Sequence, residues 1–191
     1  MHLTVEAQNL CRIWIPRGGI AIDATAGNGL DTQFLAECVG IDGHVYALDV
    51  QQSAIERTAK RIAEIGLASV VKCIQANHAD LLQHVPKEVW GKVFCAMFNL
   101  GYLPHGDKTI VTRAATTIQA LEATDTVLAP KSILSILVYV GQSHGQEEAL
   151  AVEGWIERHR AIYDVERYSD PANPVSPILW FLRKRGEAES S

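Results

Sequence analysis

Residues 23–32 read Asp23-Ala24-Thr25-Ala26-Gly27-Asn28-Gly29-Leu30-Asp31-Thr32, and they follow a short apolar run from Gly19 to Ile22. An apolar strand that delivers a glycine turn, which in turn opens a helix, leaves few folds available. Gly27 and Gly29 permit positive φ and a close backbone approach. A second apolar run, His44-Val45-Tyr46-Ala47-Leu48, ends in Asp49. Strand, glycine turn, helix, then a strand ending in an acid is the layout of a nucleotide-type cofactor site in an α/β sheet.

The rest of the chain agrees with that start. An apolar-periodic segment predicts a helix over 3–15, ended by Pro16 and Gly18-Gly19. Strands are expected at 19–24, 44–49, 69–75, 92–98 and 132–140, and helices at 30–39, 51–65, 112–128 and 144–160. Phe34, Leu35 and Val39 mark the inward face of the second helix. Ile55, Ala59 and Ile62 mark that of the third, which Gly66 ends. The helix over 112–128 stops before Pro130. Two strands, 164–169 and 177–184, then follow with no helix between them.

Alternation of strand and helix implies a parallel sheet covered by helices on both faces. The closing pair adds an antiparallel strand, where a dinucleotide domain would continue βα units. The expected fold is therefore α/β, the class I S-adenosylmethionine-dependent methyltransferase architecture. This is Rossmann-like, with a seven-stranded, mostly parallel sheet and helices on both faces.

A chain of 191 residues suits a single methyltransferase domain over 1–191. Residues 1–18 would be an N-terminal helix and lead-in, and 186–191 a disordered tail. A chain of this length buries roughly 70% of its unfolded surface and needs no staples. No apolar stretch approaches the ~20 residues that span a bilayer. The start, Met1-His2-Leu3-Thr4-Val5-Glu6, lacks the pattern of a secretory signal, so a cytoplasmic location is expected. Cys11, Cys38, Cys73 and Cys95 form no C-x-x-C pair and read as free thiols; no metal site is expected. The net charge of −5 argues against strong nonspecific nucleic-acid binding but leaves room for a folded RNA on a local basic surface. Lys108/Arg113, Arg158/Arg160 and Arg183-Lys184-Arg185 are the candidates, each of which reads more readily as a solvated face.

Finer details separate S-adenosylmethionine from a dinucleotide. The dinucleotide pattern wants Gly or Ala three residues after the second glycine, where this chain has Thr32. Asp23, four residues before Gly27, matches the strand-end acid of the methyltransferase pattern. The candidate cofactor-binding set is Asp23, Gly27, Asn28, Gly29, Asp31, Thr32, Asp49, Gln51, Asn77, His78 and Asn99. Asp49 is placed to accept both ribose hydroxyls, and Gln51 to border the adenine. Asn77 and His78 follow the third strand near the same rim.

The second constellation follows the fourth strand: Phe98-Asn99-Leu100-Gly101-Tyr102-Leu103-Pro104-His105-Gly106-Asp107-Lys108. Long conspicuous segments at that sheet edge carry function. Asn99, Tyr102 and Asp107 are the candidate catalytic residues. Asn99 and the Leu100 carbonyl suit an amine near the methyl group, and Tyr102 suits stacking on a base. Asp107 or His105 suits accepting a proton. Asp107-Lys108 also reads as a charge pair at a helix start.

With both segments in view, the chain resembles the rRNA methylase family typified by YtqB, now called MnmM. The resemblance rests on Asp23 to Gly29, Asp31-Thr32, His44-Val45-Tyr46, Asp49 with Gln51, and Phe98 to Pro104. It also takes in Gly106-Asp107-Lys108 and Thr116-Thr117-Ile118-Gln119-Ala120, and it runs from Leu3 to Arg185. It implies a class I fold and S-adenosylmethionine as donor. It further implies methylation of a 5-aminomethyl-(2-thio)uridine at the tRNA wobble position, with the anticodon region as partner. Whether the chain forms a homodimer stays open. Two departures touch the acceptor side. The family's Tyr-His-Gly-His-like stretch reads Tyr139-Val140-Gly141-Gln142-Ser143-His144 here, and its Gly-Gly before the Asp-Lys pair reads His105-Gly106.

The leading expectation is in-line attack of an acceptor nitrogen on the sulfonium methyl, with Asp107, His105, Tyr139 and His144 as candidate bases. An rRNA methyltransferase comes next, because one small-subunit rRNA guanine methyltransferase family has a similar Asp-Ala-Thr-Ala-Gly turn. A small-molecule methyltransferase suits the acidic charge, and a noncatalytic nucleotide-binding protein would not need the stretch from Asn99 to Lys108.

Overall fold

The structure is a computed structural model that describes residues 3–101, 110–142, 144–173 and 175–186. In chain order the elements are α1 (Leu3–Arg12), β1 (Ile20–Asp23), α2 (Leu30–Val39), β2 (His44–Asp49), α3 (Gln52–Glu64) and β3 (Val71–Gln75). Next come α4 (Leu81–His84), β4 (Val93–Leu100), α5 (Ala114–Val127), β5 (Leu128–Val138), α6 (Gly145–His159), β6 (Tyr163–Tyr168) and β7 (Ile178–Lys184).

The strands form one seven-stranded sheet in the order β3-β2-β1-β4-β5-β7-β6. The first five pair in parallel, and β7 runs antiparallel to both β5 and β6. The sheet reads as a class I methyltransferase. Chain order reverses between β1 and β4, and a doubly wound sheet opens its ligand crevice at such a switch point.

Strand side chains alternate between faces, and each face packs its own helices. Ala21, Val45, Cys95, Met97, Ile133 and Leu137 meet Ala7 and Cys11 of α1, Phe34 and Leu35 of α2 and Ile62 of α3. Ile22, Leu48, Phe98, Leu134 and Ile136 meet Leu81 of α4, Leu121 of α5 and Trp155 of α6. Each such large side chain, fully buried, contributes about 1.5–3 kcal/mol.

Most elements fall where the periodicity puts them, with two differences. First, β5 begins at Leu128, directly after α5, not at 132. Pro130 brings no N–H and Lys131 takes φ 63°, so the pairing with β4 skips from Val93↔Leu128 to Cys95↔Ile133. The strand crosses its own bulge because Leu128 still has a partner. Second, residues 78–89 carry short turns of helix, with Asn77 Oδ1 accepting the Ala79 N–H at 2.9 Å. Such brief turns have no periodicity to read.

Cys11 and Cys95 are buried thiols, Cys38 and Cys73 are half-buried, and all four are free. No described helix is long and apolar enough to cross a membrane.

Candidate active site

A cavity of about 700 Å³ opens at the C-terminal ends of β1, β2 and β4. Its floor is the glycine turn. Gly27 takes φ 54° and Gly29 φ 77°, conformations that cost a side-chain-bearing residue about 1–2 kcal/mol. The turn is held from both sides. One oxygen of Asp49 accepts the Gly27 N–H at 2.9 Å, and the other accepts the Gln51 N–H at 2.8 Å. Arg61 of α3 donates to the Asn28 carbonyl at 2.9 Å and to Gln33 Oε1 at 3.2 Å.

Of the expected cofactor residues, Gly27, Asn28, Asp31, Asp49, Gln51, Asn77, His78 and Asn99 line this cavity. Asp23, Gly29 and Thr32 lie behind its wall. Asp23 is fully buried, accepting the Thr25 N–H at 3.1 Å and the Thr32 hydroxyl at 2.6 Å, so both residues shape the turn from beneath. Gly29 faces α3: a Cβ there would stand 3.0 Å from Thr58 Cα. Tyr102, His105, Asp107 and Lys108 lie outside the described residues, as do Ser143 and residues 187–191 of the expected tail.

The wall between β1 and β4 is a chain of polar contacts. Thr25 Oγ1 accepts the Asn99 N–H at 2.7 Å. The Asn99 side-chain amide donates to Asp31 Oδ2, and Gln8 of α1 donates to Asp31 Oδ1 at 2.6 Å. Burial raises the Asp31 carboxyl above its usual range. Burial, reinforced by the charge of Asp31, pushes Asp23 up to about 7. Burial also lowers His78 to about 4, against a hydrogen bond to the Ala24 backbone, so His78 is neutral. Asp31, Asp49 and Glu37 line the cavity together with Arg12 and Arg61, and the buried Asp23 lies behind its wall.

Two of the candidate bases lie within the described residues. Tyr139 lines the cavity, but burial and then Asp31 raise its hydroxyl, which stays protonated at neutral pH. His144 is not among the cavity's lining residues. It lies 3.4 Å from Arg113 and 3.8 Å from Glu147.

The structure adds residues that the sequence reading left without a role. Thr4, Val5, Gln8 and Arg12 bring α1 to the cavity, and Thr25 brings its hydroxyl. Thr4, Gln8 and Arg12 recur at i, i+4 and i+8 beside the buried Ala7 and Cys11. That polar stripe was the available signal, though alone it reads as a solvated face. Four described residues of the expected basic surfaces are paired with acids. Arg160 pairs with Glu157 at 2.7 Å, Arg183 and Arg185 with Asp164 at 2.7 and 3.0 Å, and Lys184 with Asp125 at 3.0 Å.

Residues 45–183 match the family described as "Putative rRNA methylase". The chain belongs to this family. A crystal structure under the same description, from Clostridium thermocellum, is 33% identical with a TM-score of 0.89, covering 95% of this chain and 96% of that one. A Streptococcus mutans chain in complex with SAH, described as a "putative methyltransferase", is 28% identical with a TM-score of 0.84, covering 96% and 98%. The Arabidopsis thaliana protein named tRNA (mnm(5)s(2)U34)-methyltransferase, chloroplastic, is 34% identical over 188 residues. That match takes in 90% of this chain, which spans 65% of the plant protein's length. The fold is thus shared nearly end to end with the two solved structures, which cover 95% and 96% of this chain.

Proposed function

We propose that this chain transfers a methyl group from S-adenosylmethionine to RNA. The acceptor is the exocyclic nitrogen of a 5-aminomethyl-(2-thio)uridine at the tRNA wobble position, so the anticodon region is its partner. The carrying observation is the plant tRNA methyltransferase, whose match takes in 90% of this chain. The SAH-bound relative supports the donor.

The cavity fits that donor. About 700 Å³ suits a ligand of nucleoside size. Asp49, on the end of β2, keeps lone pairs for ribose hydroxyls beyond the two backbone N–H groups it accepts. Asp31, Asp49 and Glu37 at the cavity give carboxyl oxygens that suit a sulfonium and an ammonium. When bound, S-adenosylmethionine supplies an electrophilic methyl on a good leaving group.

The residues of the chain align the partner. Asn99 is the penultimate residue of β4, its backbone fixed by Thr25 and its amide by Asp31. Asn99 Oδ1 is the acceptor end for an amine N–H. An alkylamine is protonated in water near neutral pH and must lose that proton before attack. Alignment of two bound groups is worth up to ~7–11 kcal/mol in well-oriented systems.

The test is mass spectrometry of nucleosides from tRNA lacking the final methyl, after incubation with the chain and S-adenosylmethionine. Conversion of the aminomethyl nucleoside is expected. Methylation of rRNA instead would favour the small-subunit rRNA methyltransferases; one from Agathobacter rectalis is 30% identical over 48% of this chain. Methylation of a small metabolite alone would remove RNA from the reading.

A further inference from the structure

We propose that Gln8 of α1 is a positioning residue for methyl transfer: acting through Asp31, it fixes which end of the Asn99 amide faces the acceptor. This rests on the function proposed above, in which Asn99 receives an acceptor amine. The contacts form one line across three elements. Gln8 Nε2 donates to Asp31 Oδ1 at 2.6 Å, and Asp31 Oδ2 receives the Asn99 side-chain N–H. Gln8, Asp31 and Asn99 all line the cavity.

The physical reason is an amide's two-ended chemistry. Its nitrogen only donates and its oxygen only accepts. An ionised Asp31 accepts only, so it holds the Asn99 nitrogen and leaves Oδ1 as the end available to an N–H. A protonated Asp31 carries a donor and accommodates the flipped amide. The flipped amide would present N–H groups to an amine that needs an acceptor. Asp31 is 7% exposed and close to Asp23, so water does little to keep it ionised. Gln8 and Asn99 supply the hydrogen bonds that favour its charge. The other titratable or charged groups around it are Asp23 on β1, Cys95 on β4, Tyr139 beyond β5, and Arg12 and Glu37 at the cavity edge.

α1 is placed independently of this bond. Ala7 and Cys11 pack it into the core beneath the sheet. An apolar residue of similar length at position 8 is therefore expected to leave the fold in place.

The experiment compares wild type with Gln8→Met. In the ligand-free chain labelled with 13C-aspartate, the Asp31 carboxyl resonance is expected to titrate at higher pH in Gln8→Met. The Asn99 side-chain amide signal should move with the same midpoint. In methyl transfer to tRNA, the acid limb of kcat should shift upward. The loss should be about tenfold at pH 6 and shrink to within about twofold at pH 9. Donor affinity at pH 9 should stay within about twofold. In an Asp31→Asn background, Gln8→Met should add no pH dependence. An unmoved Asp31 titration, or a loss equal at every pH, overturns the proposal. Should Gln8→Met not fold, Gln8→Glu keeps the side chain's shape and is expected to move the same titration upward. If wild type methylates no tRNA, the functional reading fails. The carboxyl and amide titrations alone then decide whether Gln8, Asp31 and Asn99 are coupled.

Discussion

Asp49 accepts the Gly27 N–H at 2.9 Å between neighbouring strand ends, so the end of β2 holds the turn that leaves β1. Its second oxygen accepts the Gln51 N–H at 2.8 Å, which fixes the start of α3 as well. One carboxylate thus ties the glycine turn to the start of α3.

Replacing Asp49 is therefore expected to do more than remove a ligand contact. Asp49→Ala should weaken S-adenosylmethionine binding by about 1–3 kcal/mol through lost charge-assisted hydrogen bonds. Asp49→Asn should recover little of this, because its amide nitrogen would face one of two backbone donors. Calorimetry on the three proteins checks it. An Asn variant that binds like wild type would remove the turn-holding role.

Gly29 is expected to be a stability position. Its φ of 77° costs any other residue about 1–2 kcal/mol, and a Cβ would stand 3.0 Å from both Thr58 Cα and Thr58 Oγ1. Gly29→Ala should lower the melting temperature by about 3–8 °C. Gly29→Val should lower it further. This corrects the expectation that both turn glycines face the ligand. A Gly29→Ala protein with unchanged melting but lost donor binding would restore that expectation.

Asn99 should divide the two substrates. Asn99→Ala should lower kcat for tRNA by about 10²-fold while donor affinity changes by less than about fivefold. Asn99→Asp should lose donor affinity too, because it sets a second carboxylate against Asp31. Equal losses of turnover and donor affinity in Asn99→Ala would place this residue with the donor alone.

The pH dependence of stability should show two opposed contributions. Asp23 has a folded value near 7 against an ordinary 3.8, so the folded chain binds more protons between those values. Its contribution is full below about pH 4 and is lost as pH rises through 7. His78 has a folded value near 4 against 6.5, so there the unfolded chain binds more protons. Its neutral burial costs nothing above pH 6.5. Below pH 4 it lowers stability by about 3 kcal/mol. Asp23→Asn should therefore remove a stability loss between about pH 4 and 7, and His78→Gln should remove one between pH 6.5 and 4. Urea titrations across pH check both signs.

Much of the fold is legible in the chain because its signals are local. Ile20–Asp23 and His44–Asp49 are apolar runs bounded by glycine, and Gln52–Glu64 keeps helical spacing until Gly66. Alternation then makes the sheet parallel, and the glycine turn with Asp49 marks where its crevice opens. The identity of the facing partners is not local. Thr4, Gln8 and Arg12 read as a solvated stripe until packing turns α1 toward the cavity. Asp23 and Asp31 read as two members of the cofactor set until burial makes them compete for charge and puts Asp23 behind the cavity wall. Gly29 looks like its neighbour Gly27 until α3 arrives against it. Spacing along the chain determines which elements form and where they end. Desolvation and the approach of distant side chains arise only on folding, and they decide which residue meets the ligand and which carboxyl keeps its proton.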